Sequence, residues 1–197
     1  SVLGHAQVAA LMTTSELALD YPEDIVDEYV NLSFSSIFLR ALNPYGLASE
    51  NSNWDTYTAR FIAFYKQAFE HILFINKQGT LLIEEFAAII LRKMLTPWCT
   101  GFVDLQSPAG IVNSVLVYNY DGYLYASDES RMLAEQGDFS FRIGPVTESY
   151  ENLIYSKKVR EWSNVWSNEL LAGCSDCGVR AYCGADPVRN HTTQDDK

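Results

Sequence analysis

Apolar residues in the first part of the chain alternate between short continuous runs and helical stripes. The run Val8–Met12 is followed by polar residues, which predicts a buried strand and then a loop. A helix from about Pro22 to Leu32 follows, with proline and acids in the first turn, and Ile37–Leu39 predicts a second buried strand. This is the βαβ pattern of a parallel sheet, so we expect the two strands to be parallel neighbours.

Two more helices are predicted before Pro97. One runs from about Trp54 to Asn76, because apolar residues recur there at steps of three and four. The stripe consists of Tyr57, Phe61, Phe64, Ala68, Ile72 and Ile75. After Gly79 a second stripe, from Leu82 to Met94, predicts a helix that ends before the proline. His71 lies in the first helix, and we interpret it as a satisfied or exposed histidine rather than a metal ligand.

The pattern changes to β-branched and aromatic residues after Pro97. Asp121-Gly122 is a strong two-residue turn signal, so Val115–Tyr120 and Tyr123–Ala126 are predicted to form a hairpin. Two later segments are predicted to be helical, Ser149–Ile154 and Val159–Leu170. We therefore expect βα units over residues 1–95 and a small α+β domain over residues 96–197.

Composition and charge narrow the function classes. The chain has 197 residues, of which 48% are hydrophobic and 13% aromatic, as in a packed globular protein. Its net charge of −11 argues against a nucleic-acid partner. The apolar stretch Leu81–Leu91 is short and contains Glu84 and Glu85, so no membrane span is expected. The sequence also gives no sign of a secretory leader. We expect a cytoplasmic protein.

Three of the four cysteines fall within ten residues near the C-terminus. Cys174 and Cys177 form a CxxC pair, and Cys183 follows six residues later. Such a pair can turn both sulfurs toward one centre, and a third thiol supplies most of a metal or iron–sulfur site. Because the cytosol keeps thiols reduced, a structural disulfide is the weaker interpretation. The alternative is a pair of structural thiols with a bystander.

The fourth ligand is left open by the sequence. Cys99 is either that ligand or a lone buried cysteine that packs as a small hydrophobe. His191 is a weaker candidate. Asp128, Glu129 and Asp138 are candidates for paired carboxylates in acid–base chemistry, but the better interpretation is that acids at strand and helix ends cap the backbone. The chain contains no GxSxG, no phosphate-binding glycine-rich loop and no HExxH. The cysteines therefore form its one candidate site for chemistry.

The spacing Cys174-x2-Cys177-x5-Cys183, after a hairpin at Asp121–Tyr125, resembles the SPASM domain. This domain is the C-terminal auxiliary-cluster module of radical SAM peptide-modifying enzymes. Longer stretches across nearly the whole chain are similar to radical SAM maturases of His-Xaa-Ser peptide systems. They are Ile37–Gly46, Tyr118–Gly122, Ser127–Ala134 and Cys183–Asn190. The resemblance implies the last βα units of a partial radical SAM barrel, followed by a small α+β SPASM/twitch-like domain with a β-hairpin and a cysteine cluster.

The departures from the family pattern concern its cluster ligands. Ser127 and Pro187 stand where a full SPASM domain has cysteines of its first auxiliary cluster, so that cluster is expected to be absent. The resemblance assigns the trio Cys174, Cys177 and Cys183 to the second auxiliary [4Fe-4S] cluster, whose last cysteine would lie beyond Lys197. Cys99 then either replaces that last cysteine as the fourth ligand or is not a cluster ligand.

The CxxxCxxC that holds the SAM-cleaving cluster is also lacking in these residues. The resemblance therefore implies a C-terminal part of a maturase, inactive alone, whose intact parent uses S-adenosylmethionine to modify a ribosomally made precursor peptide. The upstream barrel portion would be missing, and an unclosed sheet edge predicts self-association. The alternative is a non-catalytic, zinc-stapled peptide- or protein-binding module, because zinc would satisfy the same thiols.

Overall fold

The chain folds as a mixed α/β protein with two compact units. The computed structural model describes residues 10, 12–43, 45, 48, 53–112, 114–163 and 167–193. One unit comprises Ser1–Asn43 and Ala48–Trp98, and the other comprises Pro44–Leu47 and Cys99–Lys197. The main boundary thus falls after Trp98, close to the predicted one at residues 95 and 96.

The first unit contains three helices and one pair of parallel strands in its described part. In chain order these are α1 (Pro22–Asn31), β1 (Ser36–Ile37), α2 (Trp54–Lys77), β2 (Ile83–Glu84) and α3 (Glu85–Leu95). Strands β1 and β2 pair in parallel, with Ser36 opposite Ile83. The described residues of this unit show a single β1–α2–β2 unit and no barrel, so the partial (βα) barrel stays a prediction.

Helix α2 forms the core of the first unit, as its apolar stripe predicted. Its buried residues are Tyr57, Phe64, Ala68 and Ile72, spaced so that they share one face. The hydroxyl of Tyr57 donates to the carbonyl oxygen of Thr14 at 2.7 Å and accepts from the amide of Leu42 at 2.7 Å. This buried residue therefore fixes two loop segments against the helix.

One predicted strand and one predicted helix start in this unit have different outcomes. The predicted strand Val8–Met12 lies largely outside the described residues, and so does its pairing with Ile37–Leu39. The predicted helix start at Leu82 is wrong, because Ile83 and Glu84 form β2 before α3 begins. The extended backbone of this pair of residues is stabilised by its ladder with β1, which helical periodicity alone does not reveal.

The second unit is built on a three-stranded antiparallel sheet. Its strands are β3 (Val117–Tyr118), β4 (Tyr123–Tyr125) and β5 (Arg142–Pro145), in the order β3-β4-β5. The predicted hairpin is confirmed. Gly122 has a φ of +81° and donates its amide to the carbonyl oxygen of Asn119 at 3.1 Å. Glycine suits this turn because it adopts positive φ without strain.

Four helices pack around this sheet: α4 (Asp128–Glu135), α5 (Tyr150–Ile154), α6 (Lys157–Ser163) and α7 (Pro187–Thr193). The predicted helix Ser149–Ile154 is confirmed as α5, with Ser149 as its N-cap. The predicted helix Val159–Leu170 is shorter than expected, since α6 ends at Ser163 and residues 168–170 form turns. Tyr45 joins the core of this unit from the short segment 44–47.

No helix in the described ranges combines the length and the apolar content needed to cross a membrane.

Candidate functional site

The three clustered cysteines lie in a loop built from consecutive turns. We call residues 168–185 the thiol loop. Each cysteine amide donates to a carbonyl oxygen three residues earlier, at 3.1 Å in every case. The acceptors are Leu171 for Cys174, Cys174 for Cys177, and Arg180 for Cys183. Apart from the short 3-10 turn Arg180–Tyr182, the described loop contains no helix or strand.

None of the four cysteines is in a disulfide, and all four are at least partly exposed. Cys174 is partly buried, and Cys177 and Cys183 are exposed. Cys99 is also exposed, so the alternative in which it packs as a lone buried hydrophobe is wrong. Its chain position, just after the boundary between the units, places it outside either core cluster.

Both ends of the thiol loop are fastened to one segment, Asp104–Ser107. At the start of the loop, the amide of Asn168 donates to Ser107 Oγ at 3.0 Å. At its end, the amide of Ala185 donates to the carbonyl oxygen of Gln106 at 2.9 Å. Because its ends meet, the loop is an Ω-like excursion with a closed base.

Gly184 makes the closest approach at this base. A Cβ atom at this position would lie 1.7 Å from the carbonyl oxygen of Asp104. Any side chain there would collide with backbone, so the residue following Cys183 has to be glycine unless the segment moves. The contact fixes the chain directly beside the last cysteine.

Arg180 contacts two other residues of the thiol loop. Its guanidinium donates to the carbonyl oxygen of Ser175 and lies 3.7 Å from Glu169 Oε1. Sequence analysis missed this residue, because an arginine between two cysteines carries no distinctive signal. Its contacts hold the first and last turns of the loop together.

The thiols are not gathered into a metal-holding group in this arrangement. Within the described ranges no set of three or more His, Cys, Asp or Glu side chains is placed to bind a metal ion. The donor chemistry nevertheless suits a metal, since thiolates favour zinc and iron–sulfur clusters. For the loop to hold one, its turns would have to close around the metal, which couples binding to local folding.

The two histidines considered as ligands already have carboxylate partners. His191 Nε2 lies 2.9 Å from Asp138 Oδ2, and the histidine ring meets the Phe141 ring edge-on at 5.3 Å. His71 Nε2 lies 2.7 Å from Asp27 Oδ1, which confirms its interpretation as a satisfied histidine. The structure therefore places His191 with an acid and not with the thiols.

The acids after the hairpin stand at the beginning of α4. Ser127 caps this helix and accepts the amide of Ser130 at 3.2 Å, while Asp128 and Glu129 occupy its first turn. Burial, together with the charges of Asp104 and Asp186, raises the pKa of the Glu129 carboxyl. This position supports the capping interpretation over paired catalytic carboxylates.

The comparisons with known proteins give no relative. No protein-family model matches the chain, and no curated protein or solved structure does so either.

Proposed function

We propose that this chain is the C-terminal part of a radical SAM maturase that modifies a ribosomally made precursor peptide. In this proposal Cys174, Cys177 and Cys183 hold an auxiliary [4Fe-4S] cluster. The observation that carries it is the thiol loop, in which three cysteines outside any disulfide share one loop with a closed base. Such a cluster would supply electron transfer or a fixed point for the substrate peptide.

The loop's construction supports a bound metal in two ways. The fastened base confines the three cysteines to one loop, because Ser107 and Gln106 bind its two ends, although the sulfurs themselves are not gathered. The interior is held by single turn bonds and the contacts of Arg180, which cost little to rearrange. The three sulfurs can then converge without disturbing the core of the second unit.

Iron–sulfur is preferred to zinc on the basis of the resemblance. The same thiols would satisfy tetrahedral zinc, so a zinc-stapled binding module is the competing outcome. Cys99 is exposed and available as a fourth ligand. The β1–α2–β2 unit supports an α/β segment upstream of the cluster domain. The precursor peptide and the upstream barrel portion are the partners that this function requires.

Anaerobic reconstitution with iron and sulfide tests the proposal. We expect brown protein with broad absorbance at about 400 nm, from thiolate-to-iron charge transfer, and iron and sulfide in cluster stoichiometry. Electron paramagnetic resonance of the reduced protein should show the cluster. A colourless protein that takes up zinc alone would replace the proposal with the zinc module. A protein that binds neither would overturn both.

Single substitutions test the ligand assignment. Cys177→Ser should remove most of the bound metal, because one lost thiolate leaves too few ligands. Ser175→Ala, two residues away in the same loop, is the matched control and should keep the metal. Cys99→Ser separates the remaining alternatives: equal loss makes Cys99 the fourth ligand, and full retention makes it an orphan. Unchanged metal content in Cys177→Ser contradicts the assignment.

A further inference from the structure

Helix α3 is rich in apolar residues, yet none of its residues is buried. A helix with so wide an apolar surface is typical of positions that other protein covers. Its C-terminal half and the residues after it expose large apolar side chains. These are Leu91, Met94, Leu95 and Trp98, with Leu95 at 76% and Trp98 at 74% of full exposure.

One side of α3 already has a partner within its own unit. The Phe86 ring lies 5.9 Å from the Phe38 ring, centroid to centroid. Leu91 and Leu95 lie away from Phe86 around the helix, with Met94 at the nearer margin, since each residue advances by about 100°. The exposed side chains thus form a second face, which we call the outer α3 face. Exposed apolar patches of this kind mark interaction sites.

Charge along α3 is self-complementary. Glu85 stands in the first turn, and Arg92 in the last turn. They are seven residues apart, so they lie on the same side of the helix, at one margin of the outer α3 face. In an antiparallel pair of such helices, each glutamate would meet the arginine of the other copy, and the helix dipoles would oppose each other favourably.

We propose that two copies of this chain associate through α3 as an antiparallel pair about a two-fold axis. Glu85 of each copy then pairs with Arg92 of the other, and the contact is the same on both sides. This register puts Ala87 and Ala88 near the axis, where small side chains let two helices approach closely. It also brings Met94 and Leu95 of one copy toward the apolar segment before α3 of the other.

The segment before α3 fits this arrangement. Leu81 is exposed at 69% and Ile83 at 42%, and both stand just ahead of the helix. In the antiparallel register they offer an apolar surface where the second copy presents its own exposed apolar end. The outer α3 face is thus complementary to itself in charge, size and hydrophobicity, which favours a second copy over an unrelated partner.

Sedimentation velocity of the full chain over a concentration series tests the pairing. We expect a monomer–dimer equilibrium in the wild-type protein. Leu95→Glu should shift it to monomer, because the variant places a charge in the apolar contact. Leu17→Glu is the matched control, since Leu17 is similarly exposed in the same unit but far from α3 in sequence. It should keep the wild-type equilibrium.

Charge exchange tests the register itself. Glu85→Arg and Arg92→Glu should each weaken homodimerisation by roughly tenfold or more, because each turns two attractive pairs into repulsive ones. An equimolar mixture of the two variants should restore association as a heterodimer, in which both pairs are again opposite in charge. High salt should reduce the difference between mixed and separate variants.

The proposal is overturned by a wild-type monomer at all concentrations, or by association that survives Leu95→Glu. It is also overturned if mixing the two charge variants gives no heterodimer. Circular dichroism of each variant confirms that the helices remain folded, so that loss of association is not loss of fold.

Discussion

Ser33 ends α1 in a backbone conformation that L-residues rarely adopt, with a φ of 62°. The bonds around it form a Schellman motif. The amide of Phe34 donates to the carbonyl oxygen of Tyr29, and that of Ser33 to Val30, both at 2.9 Å. The rings of Phe34 and Tyr29 pack at 5.3 Å, which supplies the hydrophobic contact of the motif.

Replacing Ser33 by glycine should stabilise the protein by about 0.5–1 kcal/mol, because glycine removes the strain of a Cβ at positive φ. Urea unfolding followed by circular dichroism measures the change. Ser33→Ala is the control, since it keeps the Cβ and should give no gain. A gain for alanine as large as that for glycine would show that strain at Ser33 is not the cause.

At the scale of elements, Glu84 connects three of them. Its buried carboxylate accepts from the amide of Leu39 at 3.2 Å and from the hydroxyl of Tyr65 at 2.7 Å. It also accepts from the amide of Ala87, which caps α3. One side chain thus fastens the chain after β1, the middle of α2 and the start of α3.

Glu84→Ala should destabilise the protein by about 2–4 kcal/mol, because three donors lose their acceptor and α3 loses its N-cap. Glu84→Gln keeps one oxygen acceptor and should cost clearly less. Thermal and urea unfolding of both variants measure the difference. Equal losses in the two variants would mean that the hydrogen bonds of Glu84 contribute little and that its packing matters more.

Elements with local signals were predicted well, and those that depend on distant contacts were not. The apolar stripe of α2 and the Asp121-Gly122 turn both depend on residues that are close in sequence, and both are found in the structure. Strand β2 was missed because Leu82 and Phe86 continue a helical spacing, while the partner that makes Ile83 extended is β1, far away in the chain.

In the candidate site, too, local features were predicted from the sequence and contacts between distant residues were not. Spacing alone predicted which thiols share a loop. It did not predict that the loop closes on Asp104–Ser107, because the bond from Asn168 to Ser107 spans 61 residues. The pairing of His191 with Asp138 spans 53 residues and was missed for the same reason.

For the whole molecule, acids outnumber bases and the net charge is −11. Burial and the nearby charges of Asp104 and Asp186 raise the pKa of Glu129 in the folded state. As the pH falls from neutrality through that raised pKa, the folded protein takes up a proton before the unfolded chain does. Folding is therefore favoured by mild acidity.

We expect the melting temperature to rise as the pH is lowered from 7 toward the raised pKa of Glu129, since this carboxyl and the overall charge repulsion act in this direction. The carboxyls with lowered pKa, such as Asp138, oppose it only at lower pH. Glu129→Gln should raise stability at pH 7, because it removes a carboxylate whose charged form is disfavoured by burial, and should flatten this dependence. Asp128→Asn, at the neighbouring exposed acid, should keep the wild-type slope. A slope unchanged by Glu129→Gln would assign the effect to overall charge.

The chain as a whole should not cleave S-adenosylmethionine under reducing, anaerobic conditions, even when its thiols carry a cluster. It lacks the CxxxCxxC that binds an iron with an open position for that substrate. Chromatographic assay of 5′-deoxyadenosine against a no-protein blank checks this. Product above the blank would show that another arrangement of thiols in this chain supports the reaction.

The closed base of the thiol loop has a consequence for chain entropy. Bringing the ends of a free segment together costs configurational entropy that grows with the logarithm of its length. In the folded protein this cost is met during folding, because Asn168 and Ala185 are already tied to the same stretch of backbone. When the loop binds a metal ion, only its interior turns still have to become ordered. A synthetic peptide of residues 168–185 would have to order its ends as well, so it should hold the same metal more weakly.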